Sequence, residues 1–273
     1  MKRSALRIFD AEQLMVLVAI GMMAIPSASS GRDAESISKI FRTETTIGAE
    51  SRLPQQASSP KQERLGRQGQ RTMKKIHLPS PNYTGMPLEE AIKKRRSVRQ
   101  YTGKALSLDQ LSQLLFVAQG KTGSVYGHAL RAVPSAGALY PLEVYAVVNR
   151  VEGVEQGIYH YIPDDHSLEL QEAGNFSQSF CRAGLGQDVL ESSGVTFVLS
   201  AVFERTKKKY GERGMRYIYM EAGHASQNIA LEAVSLGLGS VSIGAFYDDQ
   251  VNALIGADGI REAVLYLHAV GAQ

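Results

Sequence analysis

The sequence holds one cysteine, Cys181, and no tryptophan among its 273 residues. A single cysteine excludes an intramolecular disulfide and a cysteine-based metal cluster, and it neither requires nor excludes an oxidising compartment. Charge of one sign is scarce as well. The formal net charge of +3, partly gathered in the N-terminal quarter, is too slight for a nucleic-acid footprint. No apolar run reaches the roughly 20 residues of a spanning helix. What remains is 44% hydrophobic residues in a chain long enough for one good core and, by size, one or two domains.

The N-terminus reads differently from the rest. Residues 14–26 are uncharged and apolar, follow Lys2, Arg3 and Arg7, and precede Ser27, Ala28, Ser29 and Ser30. That length suits a signal-peptide core, although Asp10 and Glu12 just before it are unusual there. The expectation is a signal peptide or N-terminal anchor over 1–30, a mature end near Ser29, and export to the periplasm. A mis-assigned start or an uncleaved anchor is the alternative: the first leaves the protein cytoplasmic, and the second gives its only membrane contact. The stretch has no Arg-Arg pair for twin-arginine export and no lipobox cysteine. Residues 31–77 turn polar and cannot bury enough surface to offset their ordering entropy, so they read as a flexible linker, with one helical turn at 37–41.

The folded domain is expected over 78–273. The prolines at 79 and 81 keep the chain extended, and Pro87 opens a helix with Leu88, Ala91 and Ile92 on one face. That helix runs into Lys93-Lys94-Arg95-Arg96-Ser97-Val98-Arg99-Gln100-Tyr101. Arg95, Arg96, Ser97 and Arg99 can converge on one tetrahedral anion, because guanidinium forks and a hydroxyl suit a phosphate. The same run also reads as cations answering the helix dipole, which is the assignment for Lys93 and Lys94. Ser107 with Gln110 forms a capping box, Leu106 against Leu111 a hydrophobic staple, and Gly120 ends that helix. Residues 121–133 read as a loop. It delivers Pro134-Ser135-Ala136-Gly137, a small-residue turn that either lets a flat ligand approach the backbone or only feeds the next strand.

Residues 143–149 read as a strand. Residues 157–162 and 167–171 form a hairpin, with His160 and His166 taken as surface histidines. A helix over 176–191 precedes the apolar run at 195–202, a strand buried on both faces. A basic run follows, and in it Lys207 and Lys208 read as solvated. The longest helix is expected over 215–236. Its Glu221, His224 and Asn228 lack the second copy a di-iron bundle needs, so they read as structural, bonded at a subunit interface, with no metal. Gly244 and Ala245 end a strand at 241–246, either as an ordinary strand end or as exposed backbone donors. The last strand spans 263–270.

Four motifs in order resemble those of nitroreductase-type flavoproteins, and of their SagB-type branch, the thiazoline and oxazoline dehydrogenases: the Arg-Arg-Ser-Val-Arg run; Pro134-Ser135-Ala136-Gly137-Ala138-Leu139-Tyr140-Pro141; Lys209-Tyr210-Gly211-Glu212-Arg213-Gly214; and Glu221-Ala222-Gly223-His224-Ala225-Ser226-Gln227-Asn228. The resemblance runs from about Ile76 to the C-terminus. It implies an α+β fold with a mixed central sheet flanked by helices, in an intertwined homodimer that binds FMN. Arg95, Arg96, Ser97 and Arg99 would hold the phosphate. Pro134, Ser135, Ala136 and Gly137 would meet the ring from the partner subunit, and Gly244 and Ala245 would present backbone N–H groups to N5. Lys209 and Tyr210 would be the catalytic acid/base pair. The implied activity is two-electron ping-pong redox chemistry on a small molecule or a peptide azoline, with azoline oxidation and nitro, quinone or enone reduction both open. A non-catalytic flavin-binding or envelope interaction protein is the rival. The chain departs from the pattern at Gly271-Ala272-Gln273, where many relatives place a further phosphate cation.

Overall fold

The computed structural model of the chain describes residues 74–125 and 128–273. The apolar run at 14–26 and the turn expected at 37–41 lie outside them. Lys75–His77, at the far end of the polar stretch, is an edge strand, β1. Helix α1 spans Leu88–Lys94 and α2 spans Leu108–Gln119. The Ser107–Gln110 capping box is present with both bonds made.

The segment expected to be a loop at 121–133 is instead a hairpin, β2 (Lys121–Val125) with β3 (His128–Arg131). Its first strand is exposed throughout, so no alternation of apolar and polar residues marks it in the sequence. Strands β4 (Leu142–Val148), β5 (Gly157–Ile162) and β6 (Ser167–Ala173) follow. The helix expected over 176–191 is two short ones, α3 (Ser177–Ala183) and α4 (Asp188–Ser192). Leu185 and Gly186 between them both take positive φ, which ends a right-handed helix. Then come β7 (Val195–Val202), α5 (Glu204–Tyr210), α6 (Gly214–Ser235), β8 (Leu238–Ile243), α7 (Asp248–Ile255) and β9 (Glu262–Ala272).

Seven strands form one sheet in the order β1-β6-β5-β4-β7-β9-β8. Every ladder in it is antiparallel. The parallel component of the expected mixed sheet is confined to isolated bridges, Ser97 with Ser240 and Leu106 with Val151. The fold is α+β, with helices on both faces of the sheet. On one face Val144, Ala146, Phe197 and Leu199 pack with Leu111 and Leu115 of α2 and Ile218 and Ile229 of α6. On the other, Tyr145, Val147 and Val198 pack with Phe180, Leu190 and Val251 of α3, α4 and α7. Period-two burial on two covered faces is why β7 reads as one unbroken apolar run. Among the described residues no helix is long and apolar enough to cross a membrane.

Both hairpin histidines differ from the surface role expected of them. His160 Nε2 lies 2.6 Å from Glu143. His166 is bonded to Ser112 Oγ and Tyr161 Oη, each at 2.7 Å. Glu143 and Ser112 arrive from β4 and α2, which the local hairpin pattern does not show, while Tyr161 is on β5 of the hairpin itself.

Candidate functional site

The predicted residues gather into two surfaces. The first follows the edge of β8. Beyond Lys94 the chain leaves the helix in extended geometry at Arg95 (φ −53, ψ 123). It then runs alongside β8, with Val98 N–H donating to Ser240 O at 2.9 Å. The Tyr101 hydroxyl donates to Val98 O and Ala269 O, and its ring lies so close over Gly271 that a Cβ there would come within 2.4 Å. Gly239 is similarly filled by Val98, at 2.8 Å. These contacts fix the backbone of the run and leave its cations outward.

Within that run the four candidates divide. Arg96 turns back and donates to the carbonyls of Lys93 and Arg95, so it caps the helix. The guanidiniums of Arg95 and Arg99 and the Ser97 hydroxyl bond to no other described residue. The dipole answer therefore belongs to Arg96, together with Lys94, which pairs with Glu90, and three donors remain for an anion. At the other end of β8, Gly244 and Ala245 are exposed, and Gln187 Nε2 holds the Ala245 carbonyl at 2.9 Å. Ser240 and Gly244 are four residues apart, about 13 Å along a strand.

The second surface is built around residues 134–141. Gly137, Ala138 and Tyr140 all have positive φ (65, 53 and 45). Two of the three carry a Cβ, so the turn stores strain that its surroundings must hold. Tyr140 N–H donates to Ser135 Oγ at 2.9 Å, closing the turn on itself. Arg205 of α5 donates to Tyr140 O at 3.1 Å and pairs with Glu143. Burial alone would raise the Glu143 carboxyl, but His160 and Arg205 outweigh it and hold it below its usual range.

Lys209 stands one helical turn beyond Arg205, on the same side of α5. A Cβ built on Gly137 would lie 2.8 Å from Lys209 Nζ and 2.8 Å from Tyr210 Oη. No reading of the sequence joined these two distant motifs; the fold brings them together within one chain. The pair sits at the end of a helix, not in the glycine turn that the flanking Gly211 and Gly214 suggest. Gly211 is the helix C-cap, with φ 55. The Lys209 ammonium also lies 5.3 Å from the Tyr210 ring centre, and Tyr217 packs edge-on against that ring.

Beneath the turn is a cluster that motif spacing did not assign to the site. Glu221 of α6 is buried, at 2% exposure, and Ser135 lies on the side of its carboxylate. Gln119 Nε2 lies 3.4 Å from Glu221 Oε1, and Arg131 Nη1 donates to Gln119 Oε1 at 3.2 Å. Burial pushes the Glu221 carboxyl up to about 7 against the lowering influence of Ser135, Gln119 and Arg131. The polar set on α6 does not act together: His224 is exposed, and Asn228 donates to Val117 O. A carboxylate on the apolar side of a helix was the available signal, but its link to Ser135 is long-range.

The two surfaces do not coincide within one chain. β4, which follows the turn, and β8 are separated by β7 and β9. Three inter-strand steps make that about 14 Å.

A family model described as the nitroreductase family matches residues 92–272. The chain belongs to the nitroreductase family. That family consists generally of oxidoreductases. A candidate nitroreductase of Methanocaldococcus jannaschii is 42% identical over 196 residues, which is 72% of this chain and 96% of that protein. The trifolitoxin-processing protein TfxB of Rhizobium leguminosarum bv. trifolii and the microcin B17-processing protein McbC of Escherichia coli are each 36% identical, over 49% and 41% of this chain. The chain spans 38% and 43% of those two proteins, and the likeness is that of the SagB-type branch. Among solved structures, a candidate nitroreductase from Anabaena variabilis aligns with a TM-score of 0.65 at 30% identity, covering 90% of this chain and 49% of that one. A chain of the E. coli McbBCD microcin synthetase, solved with truncated pro-MccB17 bound, aligns with a TM-score of 0.60 at 23% identity, over 89% of this chain and 94% of its own; that likeness is one of fold.

Proposed function

We propose that the protein is an FMN-dependent oxidoreductase that works as a homodimer on a small molecule or a peptide azoline. The observation that carries this reading is the approach of the Lys209 and Tyr210 tips to an exposed, strained glycine turn. A flat ring can lie on such a backbone because no Cβ intervenes at Gly137. The residues along β8 fit the remainder of the cofactor. Arg95, Arg99 and Ser97 offer unspent donors to a phosphate, and Gly244 and Ala245 offer exposed backbone to the ring edge.

The separation of the two surfaces supports a second copy, one chain supplying the β8 edge and its partner the turn with Lys209 and Tyr210. Tyr219 and Met220 are exposed on α6 at 41% and 53%, and Leu88 and Ile92 on α1 at 60% and 54%. The apolar face of α1 is thus largely outward at Leu88 and Ile92, suited to a partner surface.

FMN, when bound, accepts or gives a hydride at N5. The chain's own residues manage the proton. Oxidising an azoline to an azole removes one hydrogen as hydride and one as a proton, and the base for that proton would be Lys209 Nζ as the neutral amine or Tyr210 Oη as the phenolate. Reducing a nitro group or quinone runs the proton the other way, from the same atoms to the acceptor oxygen. The processing relatives TfxB and McbC favour a peptide substrate. The test is Lys209→Ala and Tyr210→Phe. Each should leave FMN bound and the dimer intact while slowing reaction with the physiological substrate by about 10²–10⁴-fold, the usual worth of a positioned acid/base. Wild-type turnover in both variants would remove the pair from the chemistry. A small artificial quinone is a poor probe, since water can protonate it unaided.

A further inference from the structure

Arg205 and Lys209 stand one turn apart on α5, and each reaches the turn at 134–141. Lys209 meets it at Gly137. Arg205 meets it three residues on, where Nη1 donates to the Tyr140 carbonyl at 3.1 Å. The other arm of the guanidinium, Nη2, pairs with Glu143 Oε1 of β4. The second oxygen of Glu143 lies 2.6 Å from His160 Nε2, and the His160 ring lies 4.8 Å from the Tyr145 ring centre. The Glu143 side chain is 16% exposed and that of Arg205 41%, so the chain of contacts runs from the sheet outward to the helix. Tyr140 is the residue that needs holding, because its φ is 45. Its N–H donates to Ser135 Oγ at 2.9 Å, and its hydroxyl accepts from Arg131 N–H at 3.2 Å. Of these three bonds, the one from Arg205 comes from the helix that carries Lys209 and Tyr210.

We infer that Arg205, held by Glu143, is a positioning residue that ties α5 to the turn, so that Lys209 and Tyr210 stay against Gly137 beside the flavin ring. This rests on the cofactor reading above. A planar guanidinium can bridge a carboxylate and a carbonyl at once, whereas an ammonium is a point charge without that fork. Both partners of the bridge are fixed independently, Glu143 by His160 and Tyr140 by Ser135 and Arg131. Arg205 is therefore the joint between two settled parts. Without it the approach at Gly137 is left to the ends of flexible side chains, and small displacements of that kind are enough to slow a positioned reaction.

The experiment loads the purified full chain with FMN and measures the midpoint potential of the bound flavin at neutral pH. A cation beside the ring favours the reduced flavin, which carries more negative charge. Lys209→Ala should therefore shift the ratio of reduced to oxidised flavin at a fixed potential by about tenfold toward the oxidised form. Arg205→Lys keeps the charge and loses the fork, and should shift the ratio the same way by about threefold as Lys209 moves off. In the Lys209→Ala background Arg205→Lys should add nothing, because it acts through the residue already removed. Glu143→Ala should also shift the ratio toward the oxidised form, although deleting an anion would by itself do the reverse. Should Glu143→Ala fail to fold, Arg205→Lys, altered at a half-exposed side chain, carries the test. A parent-like potential in Arg205→Lys, an equal shift with and without Lys209, or a shift toward reduced flavin in Glu143→Ala overturns the role of Arg205 and leaves the cofactor reading standing. An unchanged potential in Lys209→Ala overturns it too, since the helix then presents no charge to the ring. No FMN uptake by the parent overturns both.

Discussion

Along β8 the candidate site is made of backbone and of cations that bond to no described residue, whereas beside β4 it is backed by two buried polar side chains, Gln119 and Glu221. Arg95, Ser97 and Arg99 face outward from a segment that Val98 and Tyr101 pin to the sheet. Arg131 donates to Gln119, and Gln119 in turn meets the buried Glu221 carboxylate beneath the turn. The contrast follows from what each surface has to do. Gripping an anion needs charges that lose little on leaving water and find a partner only in the ligand. Holding a ring against a proton carrier needs geometry fixed in advance, and a desolvated network supplies it.

The largest effect should come from breaking the first surface alone. Arg95→Ala with Arg99→Ala removes two charged contacts of about 1.5–3 kcal/mol each, so FMN affinity should fall by about 10²–10⁴-fold. Folding should be untouched, because neither guanidinium bonds to a described residue. Fluorescence titration of FMN and a denaturation curve check both halves of that statement. An unchanged Kd would remove the phosphate assignment, and Arg96→Ala is the control, since its guanidinium serves the helix end.

The same contrast governs what the sequence makes legible. The capping box, the staple and the buried run of β7 are local, and a pattern of a few residues states them in full. The arginine run is local too, so an anion site can be proposed from it, although only the fold shows that Arg96 is spent on the helix. The meeting of Gly137 with Lys209 and Tyr210 is not local. Nothing in the spacing of either motif encodes it, and the resemblance assigns each motif a role without joining the two. Glu221 was legible as a polar residue on a helix, but the partner that gives it a role lies on another element. The exposed hairpin β2–β3 escaped because strands without a buried face carry no alternation.

A second way to sharpen the comparison uses the buried titratable group behind each surface. Glu221 backs the turn, and His268 of β9, fully buried, meets Ser242 of β8 and Ser226 of α6. Burial raises Glu221 from 4.5 to about 7 and lowers His268 from 6.5 to about 3. The signs are opposite. For Glu221 the unfolded chain loses its proton first, so stability is full below pH 4.5 and declines as pH rises to about 7. For His268 the unfolded chain gains its proton first, so stability is full above pH 6.5 and declines as pH falls to about 3. Between pH 4.5 and 6.5 the two slopes cancel. Relative to the parent, Glu221→Gln should therefore gain stability with rising pH, by about 3 kcal/mol across those two units, and His268→Gln should lose a similar amount. Denaturation midpoints across that range check it, with other carboxylates cancelling in the difference. Parallel curves for parent and variants would mean that these groups titrate alike in both states.

The smallest effect separates strain from contact at the turn. Gly137 has φ 65, and an alanine there incurs about 1–2 kcal/mol of left-handed strain. Its Cβ would also meet Lys209 Nζ and Tyr210 Oη at 2.8 Å. Those atoms end flexible side chains, so they can swing aside and leave the core intact. Gly103 has φ 79 and open space around the same position. Gly137→Ala and Gly103→Ala should then lower stability by similar amounts in urea, with unchanged m-values. Only Gly137→Ala should slow turnover, because only there does the added methyl displace the proton carriers. If Gly103→Ala slowed turnover equally, the loss would belong to strain transmitted through the fold. The close approach of Lys209 and Tyr210 to the turn would then have no part in the chemistry.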